Sequence, residues 1–487
     1  MKSSPTSTIS FVAISIVYTL WLKRKKQNDS DQMMTKDEVL MLRKRHYSNC
    51  VSISYENSDP LMIMSGYGSR LVDEKGVSYL DTRNNVAHVG HQNPQVVRAV
   101  QRQVATLNTN SRYLHPNAVV LAQRLTKLLP EGLEKVFFVN SGSEANDLAL
   151  RLARAYSNSK NCIVVDHAYH GHTLATLEVS PYKFDHSKEF EIVGSTKRSP
   201  GQHIFKVPCP DTFRGLHRGA NAGHEYARYV TEACETIQNR GEKVSAFIIE
   251  GGLSVGGVIM PPKDYLRLSV ESVRKAGGLY IADEVQTSFG RLGKWYWAFE
   301  YGDSGVTPDI VTIGKPFGNG MPLAAVVTTR HVVETFESMA VEYFNTFGGN
   351  PVCTAAGLAV LDYVQTNKLN EHADHIGNYL KEQFWKIGKR FGKIGDVRGS
   401  GLFIGVEIVK DMDSLTPAPI ETSFICSTLK DDYNILTSID GPFENVLVIK
   451  PPMVFDDKDA EEFINAFTCT LEKLEKSDIT SFSKTPT

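Results

Sequence analysis

The feature that most narrows the fold is an alternation. Short runs rich in β-branched residues at 136–140 (VFFVN), 162–166 (CIVVD), 246–250 (AFIIE), 279–283 (LYIAD), 310–314 (IVTIG) and 323–328 are separated by segments of helical period. Such a pattern predicts an α/β fold, a mainly parallel sheet flanked by helices. Most of these runs end in a polar residue followed by Gly, His, Glu or Lys. In open α/β sheets ligands bind outside the carboxyl ends of the strands, so a site is expected there. A Gly-, Pro- and His-rich stretch at 181–225 breaks the pattern. It is too long for an ordinary connection and is expected to shape an entrance. Beyond Asn350 the chain becomes helix-rich (353–366, 369–392), with strands near 401–408 and 446–449, as a smaller α+β domain would be.

Composition excludes several classes. At 487 residues the chain has room for about three domains, or two large ones. Hydrophobic residues at 41% and charged residues at 22% describe a globular body rather than a disordered, collagen-like or polytopic membrane chain. The charge balance, 53 − 55 = −2, provides no field that would draw nucleic acid. Seven scattered cysteines without a C-x-x-C pair read as reduced intracellular thiols, with no structural zinc or other metal.

The amino-terminal end differs. Residues 9–22 (ISFVAISIVYTLWL) carry no charge and run into Lys23, Arg24, Lys25 and Lys26. The stretch 6–22, at about 1.5 Å per residue, reaches the short edge of what crosses a bilayer. The basic run behind it would keep the body cytosolic, on a mitochondrial or endoplasmic reticulum membrane. A secretory signal would carry its charge before the apolar stretch, and a mitochondrial presequence would be Arg-rich, whereas no Arg precedes Arg24. A start at Met33 or Met34 would yield a soluble form. The expected organisation is an anchor and basic linker (1–33), the amino-terminal part of a small domain (34–79), a large domain (80–349), the carboxyl-terminal part of the small domain (350–475) and a disordered tail (476–487).

Three motifs carry chemistry. Asn140-Ser141-Gly142-Ser143-Glu144 follows the first strong strand and opens a helical run, which is either a phosphate seat or an ordinary capping box. Asp283 ends an apolar strand, where a carboxylate needs a cationic partner. Lys315, between Gly314 and Pro316, follows another strand end, and a desolvated lysine forms a Schiff base with an aldehyde. Together they match what pyridoxal phosphate requires: its phosphate held, its ring nitrogen kept protonated, its aldehyde bound.

In order and spacing these motifs resemble class III (ornithine aminotransferase-like) pyridoxal-phosphate enzymes, from about Met34 to about Leu474. The resemblance implies the type I fold of such transferases, with a large cofactor-binding domain and a smaller α+β domain. It makes Lys315 the Schiff-base lysine and Asp283 the partner of the pyridine nitrogen. Ser141, Gly142 and Ser143 match the phosphate loop, and Tyr169, beside His170, the aromatic that stacks on the ring. Val285 would back the opposite face, Gln286 would reach the ring hydroxyl, and Glu250 would contact cofactor and substrate. Thr346 matches a threonine that crosses the interface of a homodimer to the partner's phosphate.

Transaminases of this class usually show Glu-Pro-x-Gln-Gly where this chain has Glu250-Gly251-Gly252-Leu253-Ser254. With NNVAHVGH at 84–91, NTNSRYLH at 108–115 and CPDTFRG at 209–215, the chain is similar to ethanolamine-phosphate and phosphohydroxylysine phospho-lyases, a branch also labelled alanine–glyoxylate aminotransferase-like. The implied reaction takes a phosphorylated amino alcohol to an aldehyde, ammonia and phosphate. The runner-up is an aminotransferase passing an amino group to a 2-oxo acid; a silent membrane-tethered scaffold is the alternative of another class. Arg398 matches the arginine that grips a substrate carboxylate in transaminases; a phosphorylated amine without a carboxylate leaves it another role, in a pair with Glu250. Arg214, Arg112 and Tyr113 are the candidates to hold the leaving phosphate. Ser288 stands where the family usually has Gly, which matters if that position needs positive φ.

Overall fold

A computed structural model describes residues 34–56, 59–186, 201–340, 342–479. The expected membrane anchor lies outside these residues, as does most of the polar tail. Among the described residues no helix is long and apolar enough to cross a membrane. The chain divides after Met62. In the first unit the helix Lys36–His46 starts at Thr35, whose hydroxyl and the Glu38 carboxylate form a reciprocal capping box.

The second unit contains three sheets. It begins with a meander of β1 (Ile63–Tyr67), β2 (Arg70–Asp73) and β3 (Ser78–Asp81). The central sheet contains β4 (Leu133–Val139), β5 (Asn161–Val165), β6 (Ile204–Val207), β7 (Val244–Glu250), β8 (Leu279–Asp283), β9 (Ile310–Ile313) and β10 (Ala324–Thr329), in the order β4-β10-β9-β8-β7-β5-β6. Pairing is parallel from β6 to β9, while β10 runs antiparallel to β9 and β4. The last segment contributes β11 (Ile394–Ser400), β12 (Phe403–Ile408), β13 (Ile435–Leu436), β14 (Ser438–Asp440) and β15 (Val446–Ile449). Of these, β13 extends the amino-terminal meander beside β3, and the rest form a sheet in the order β11-β12-β15-β14.

Every residue of β5, β7 and β8 is buried, because helices cover both faces of the central sheet. Ile163, Phe247, Ile249 and Tyr280 point to one side and pack with Val230 and Ile237 of the helix Ala222–Gln238 and Val270 of Tyr265–Lys275. Their strand neighbours Cys162, Val164, Ala246, Ile248 and Ile281 point to the other and pack with Ala149 and Leu152 of the helix Gly142–Ser157. Sandwiching the sheet in this way leaves the strand ends as the place where polar groups collect. The α/β architecture with a mainly parallel large sheet is therefore the one the alternation predicts. The stretch 181–225 is not wholly irregular: it supplies β6, which lies parallel to β5.

Candidate active site

Sheet register sets the floor of the site. Glu250 at the end of β7 lies opposite Asp283 at the end of β8, and Asp283 lies opposite Thr312 on β9. Just beyond β9, Lys315 opens the single 3-10 turn Lys315–Gly318. At the end of β4 the chain turns into the helix Gly142–Ser157. Here Ser141 Oγ accepts from the Glu144 N–H at 3.2 Å, and the Glu144 carboxylate accepts from the Asn140 N–H at 2.9 Å. The capping arrangement is thus present and uses the Glu144 N–H, while the N–H groups of Gly142 and Ser143, one turn ahead of any intrahelical acceptor, are placed as an anion seat requires.

Asp283 is 4% exposed. Its Oδ2 accepts from Asn146 Nδ2 at 2.8 Å and lies 2.7 Å from His170 Nδ1, while Oδ1 accepts from the Val285 N–H at 3.1 Å. Asn146 is itself oriented by Thr312, whose hydroxyl donates to Asn146 Oδ1 at 2.6 Å. Among the described residues no lysine or arginine nitrogen comes within 4.0 Å of Asp283. A carboxylate so buried and without a fixed cation is what a protonated ring nitrogen needs. Gly142 and Gly314 form the other side of this cradle: a Cβ on either would lie 2.5 or 3.0 Å from Val285 Cγ1. Gly171 approaches Ser143 as closely, and Ser143 Oγ accepts from the His172 N–H at 3.0 Å. These donors and clearances fit pyridoxal phosphate.

The acids and bases are tuned by burial. Glu250 accepts from the Tyr169 N–H at 3.0 Å and the Ser254 N–H at 3.3 Å, and burial raises its carboxyl well above the ordinary range, with His170 opposing and Asp283 reinforcing. Burial lowers the Lys315 ammonium, against the pull of Asp283, Glu250 and Asp440. Tyr169 is half-buried, edge-on to Tyr182 at 6.1 Å between ring centroids. Beside it opens a cavity of about 790 Å³, lined by Tyr182, Lys183 and His186 on one side and Val255, Asp440 and Glu444 on the other. Three of those residues come from the stretch expected to shape an entrance.

Glu284, next to Asp283, is fully buried, accepts from Thr287 Oγ1 at 2.8 Å and the Phe299 N–H at 2.9 Å, and burial pushes its carboxyl up to about 8. The unfolded chain ionises this group near 4.5 while the folded chain keeps it protonated, so stability falls as pH rises from about 4.5 to 8. Glu284→Gln, which keeps an acceptor for Phe299, should flatten that slope, by at most about 1.4 kcal/mol per pH unit. Urea unfolding of both proteins across this range measures it. At the cradle, Gly142→Ala should cost about 1–3 kcal/mol by overpacking against Val285 and weaken cofactor retention on gel filtration; adding Val285→Ala should restore both.

Several expected residues stand elsewhere. Arg398 does not pair with Glu250: its Nε donates to the Gly257 carbonyl at 2.8 Å and its Nη1 to Glu407 at 2.5 Å and Asp396 at 3.0 Å. Arg214 donates to Glu407, which it shares with Arg398, and, at 2.7 Å, to the Leu415 carbonyl. Arg112 is exposed, 3.4 Å from Glu342, and Tyr113 is 70% exposed. Thr346 is exposed beside Asn345, which accepts from Asn140 Nδ2 at 2.8 Å. Ser288 is buried and escapes the strain considered for it, because the left-handed conformation falls on Phe289 (φ 60°).

Two residues at the site were not anticipated. Asn146, one turn into its helix, closes the 140–146 motif but was given no role of its own. Lys450 follows β15 and precedes Pro451 and Pro452, a strand–Lys–Pro pattern that repeats the one around Lys315 and could have signalled it. Its ammonium donates to Ser254 Oγ at 3.0 Å and Gln286 Oε1 at 3.3 Å, and Gln286 also accepts from Asn85 Nδ2 at 2.9 Å.

A family model described as aminotransferase class-III matches residues 53–471. A Drosophila melanogaster protein named alanine–glyoxylate aminotransferase 2-like is 44% identical, over 90% of this chain and 87% of its own length. A Caenorhabditis elegans protein named ethanolamine-phosphate phospho-lyase homolog 1 is 42% identical, over 89% of this chain and 92% of its own. Among solved structures, an Arthrobacter phospholyase in complex with phosphoethanolamine superposes with a TM-score of 0.82 at 36% identity, covering 89% of this chain and 99% of that one.

Proposed function

This chain belongs to the class-III aminotransferase family of pyridoxal-phosphate-dependent enzymes, and from that premise we propose that it is a phospho-lyase acting on a phosphorylated amino alcohol. One observation carries the choice over transamination. The arginine that matches the one gripping a substrate carboxylate in the transaminases, Arg398, is here held by Glu407 and Asp396, so its guanidinium is already paired. The missing Pro and Gln after Glu250 and the resemblance to the Arthrobacter phospholyase favour the same reading.

The residues divide the work. When bound, pyridoxal phosphate supplies an aldehyde for the substrate amine and a protonated ring that accepts electrons. The Ser141–Gly142–Ser143 turn would hold its phosphate, Tyr169 and Val285 would border its ring, and Asp283, fixed by Asn146 and His170, would keep its ring nitrogen protonated. Glu250 and Gln286 border the substrate. The Lys315 amine, its proton loosened by burial, removes a proton from the amine-bearing carbon. The C–O bond on the next carbon then breaks and its electron pair leaves on the phosphate oxygen. With one water, phosphoethanolamine becomes acetaldehyde, ammonium and phosphate, and no electrons are gained or lost.

We assign a homodimer to the active form. Leu114 is fully exposed, Phe347, Val119 and Tyr113 are more than half exposed, and the segments that bear them border one groove of the single chain, near Thr346. A second copy covering this face would bring Thr346 to a neighbouring site.

The test is incubation of holoenzyme with phosphoethanolamine, and separately phosphohydroxylysine, in the absence of any 2-oxo acid. Phosphate and ammonia should appear together in equal amounts over many turnovers. An amino group transferred only when a 2-oxo acid is added, without phosphate, would give the reaction to the aminotransferase instead.

A further inference from the structure

If the reaction is an elimination, a cation must receive the departing phosphate. The arginines that the sequence offers for this, Arg214 and Arg112, are engaged by carboxylates. Lys450 is not: among the described residues no carboxylate oxygen comes within 4.0 Å of its ammonium. Among the described residues it donates to the neutral oxygens of Ser254 and Gln286, both buried, and to no others. A half-buried ammonium whose hydrogen-bond acceptors are neutral is poorly compensated until an anion arrives.

The backbone holds this cation in place. The Lys450 N–H donates to the Thr82 carbonyl at 2.8 Å, and the next carbonyl, Pro451 O, accepts from the buried Arg291 at 2.8 Å. Burial brings the ammonium down to about 8, with Asp440 and Glu250 opposing and Lys315 and Arg83 pushing the same way. Lys450 also stands apart from the Ser141–Ser143 turn expected to hold the cofactor's own phosphate. Its contacts are with the loop after β7 and with Gln286, and Asp440 and Val255, on the wall of the open cavity, are its neighbours through space or through Ser254.

We propose that Lys450, seated on Ser254 and Gln286, grips the phosphate ester of the substrate and neutralises the phosphate as it leaves. The proposal rests on the phospho-lyase reading. When the C–O bond breaks, the electron pair moves onto the bridging oxygen of the phosphate, and the ammonium beside it offsets that charge.

The experiment compares wild-type holoenzyme with Lys450→Met and Lys450→Arg. Binding of inorganic phosphate is measured by calorimetry, and KM and kcat for phosphoethanolamine are measured without a 2-oxo acid. Lys450→Met should weaken phosphate binding and raise KM, each about tenfold or more, with Lys450→Arg intermediate and the cofactor's visible absorbance unchanged. Loss of a half-buried unpaired cation does not threaten folding, and thermal unfolding checks this. If wild type releases phosphate but Lys450→Met binds inorganic phosphate as wild type does, the assignment is overturned and the lyase stands. If wild type releases none yet the variant still loses phosphate affinity, the anion site stands and the lyase falls. If neither effect is seen, both are lost.

Discussion

Lys315→Ala is expected to give a folded protein whose phosphate release falls by about four orders of magnitude or more. Two functions are lost at once: the covalent attachment of the cofactor and the base that takes the substrate proton. Folding should be spared for a physical reason. Lys315 makes no ion pair among the described residues, and its burial is opposed only at longer range by Asp283, Glu250 and Asp440. Removing a buried cation that has no bonded partner relieves desolvation, whereas removing one half of a close pair would strand the other. Rate assays with unfolding midpoints separate the two effects: a large loss of rate with an unchanged midpoint is the expected result. A variant that retains even a hundredth of the rate would mean that another base serves.

Asp283→Asn should reduce kcat by about 10²–10³ while leaving the affinity for inorganic phosphate close to that of wild type. The substitution keeps the size of the side chain and removes its charge, so the ring proton loses the anion that holds it. It also disturbs the contacts at Oδ2, where Asn146 Nδ2 and His170 Nδ1 converge at 2.8 and 2.7 Å, because an amide nitrogen cannot accept from Asn146. Phosphate binding, assigned to Lys450 just beyond β15, reports that the rest of the site is intact. A fall in KM-related affinity with kcat preserved would instead make Asp283 a substrate contact.

Much of the fold was legible because strands buried on both faces must be continuously apolar. The runs at 246–250 and 279–283 lie within β7 and β8 for that reason. Their polar last residues, Glu250 and Asp283, could be picked out because a charge ending such a run has to face the open edge. The antiparallel sense of β10 left no trace, since pairing direction depends on the path of the chain and not on the strand's own residues. The strand β6 was hidden in a Gly- and Pro-rich stretch, being only four residues long.

The site was legible where one residue type has one chemical use, and opaque where a partner decides the role. Arg398 on β11 looked available because nothing in its own segment reveals Glu407. Only the β11–β12 register, which sets Asp396 opposite Glu407, brings that carboxylate to it. Lys450 was missed for the converse reason: a lysine before two prolines near the end of the chain resembles a surface residue until β15 carries it to Ser254 and Gln286.

The central claim is that the amine of Lys315 carries the cofactor at the rim of the sheet, across from Asp283. Reduction of the holoenzyme with borohydride, followed by peptide mapping, tests it most directly. The account predicts a single pyridoxyl label, on Lys315; a label on any other lysine, or none in a protein that binds the cofactor, would contradict it.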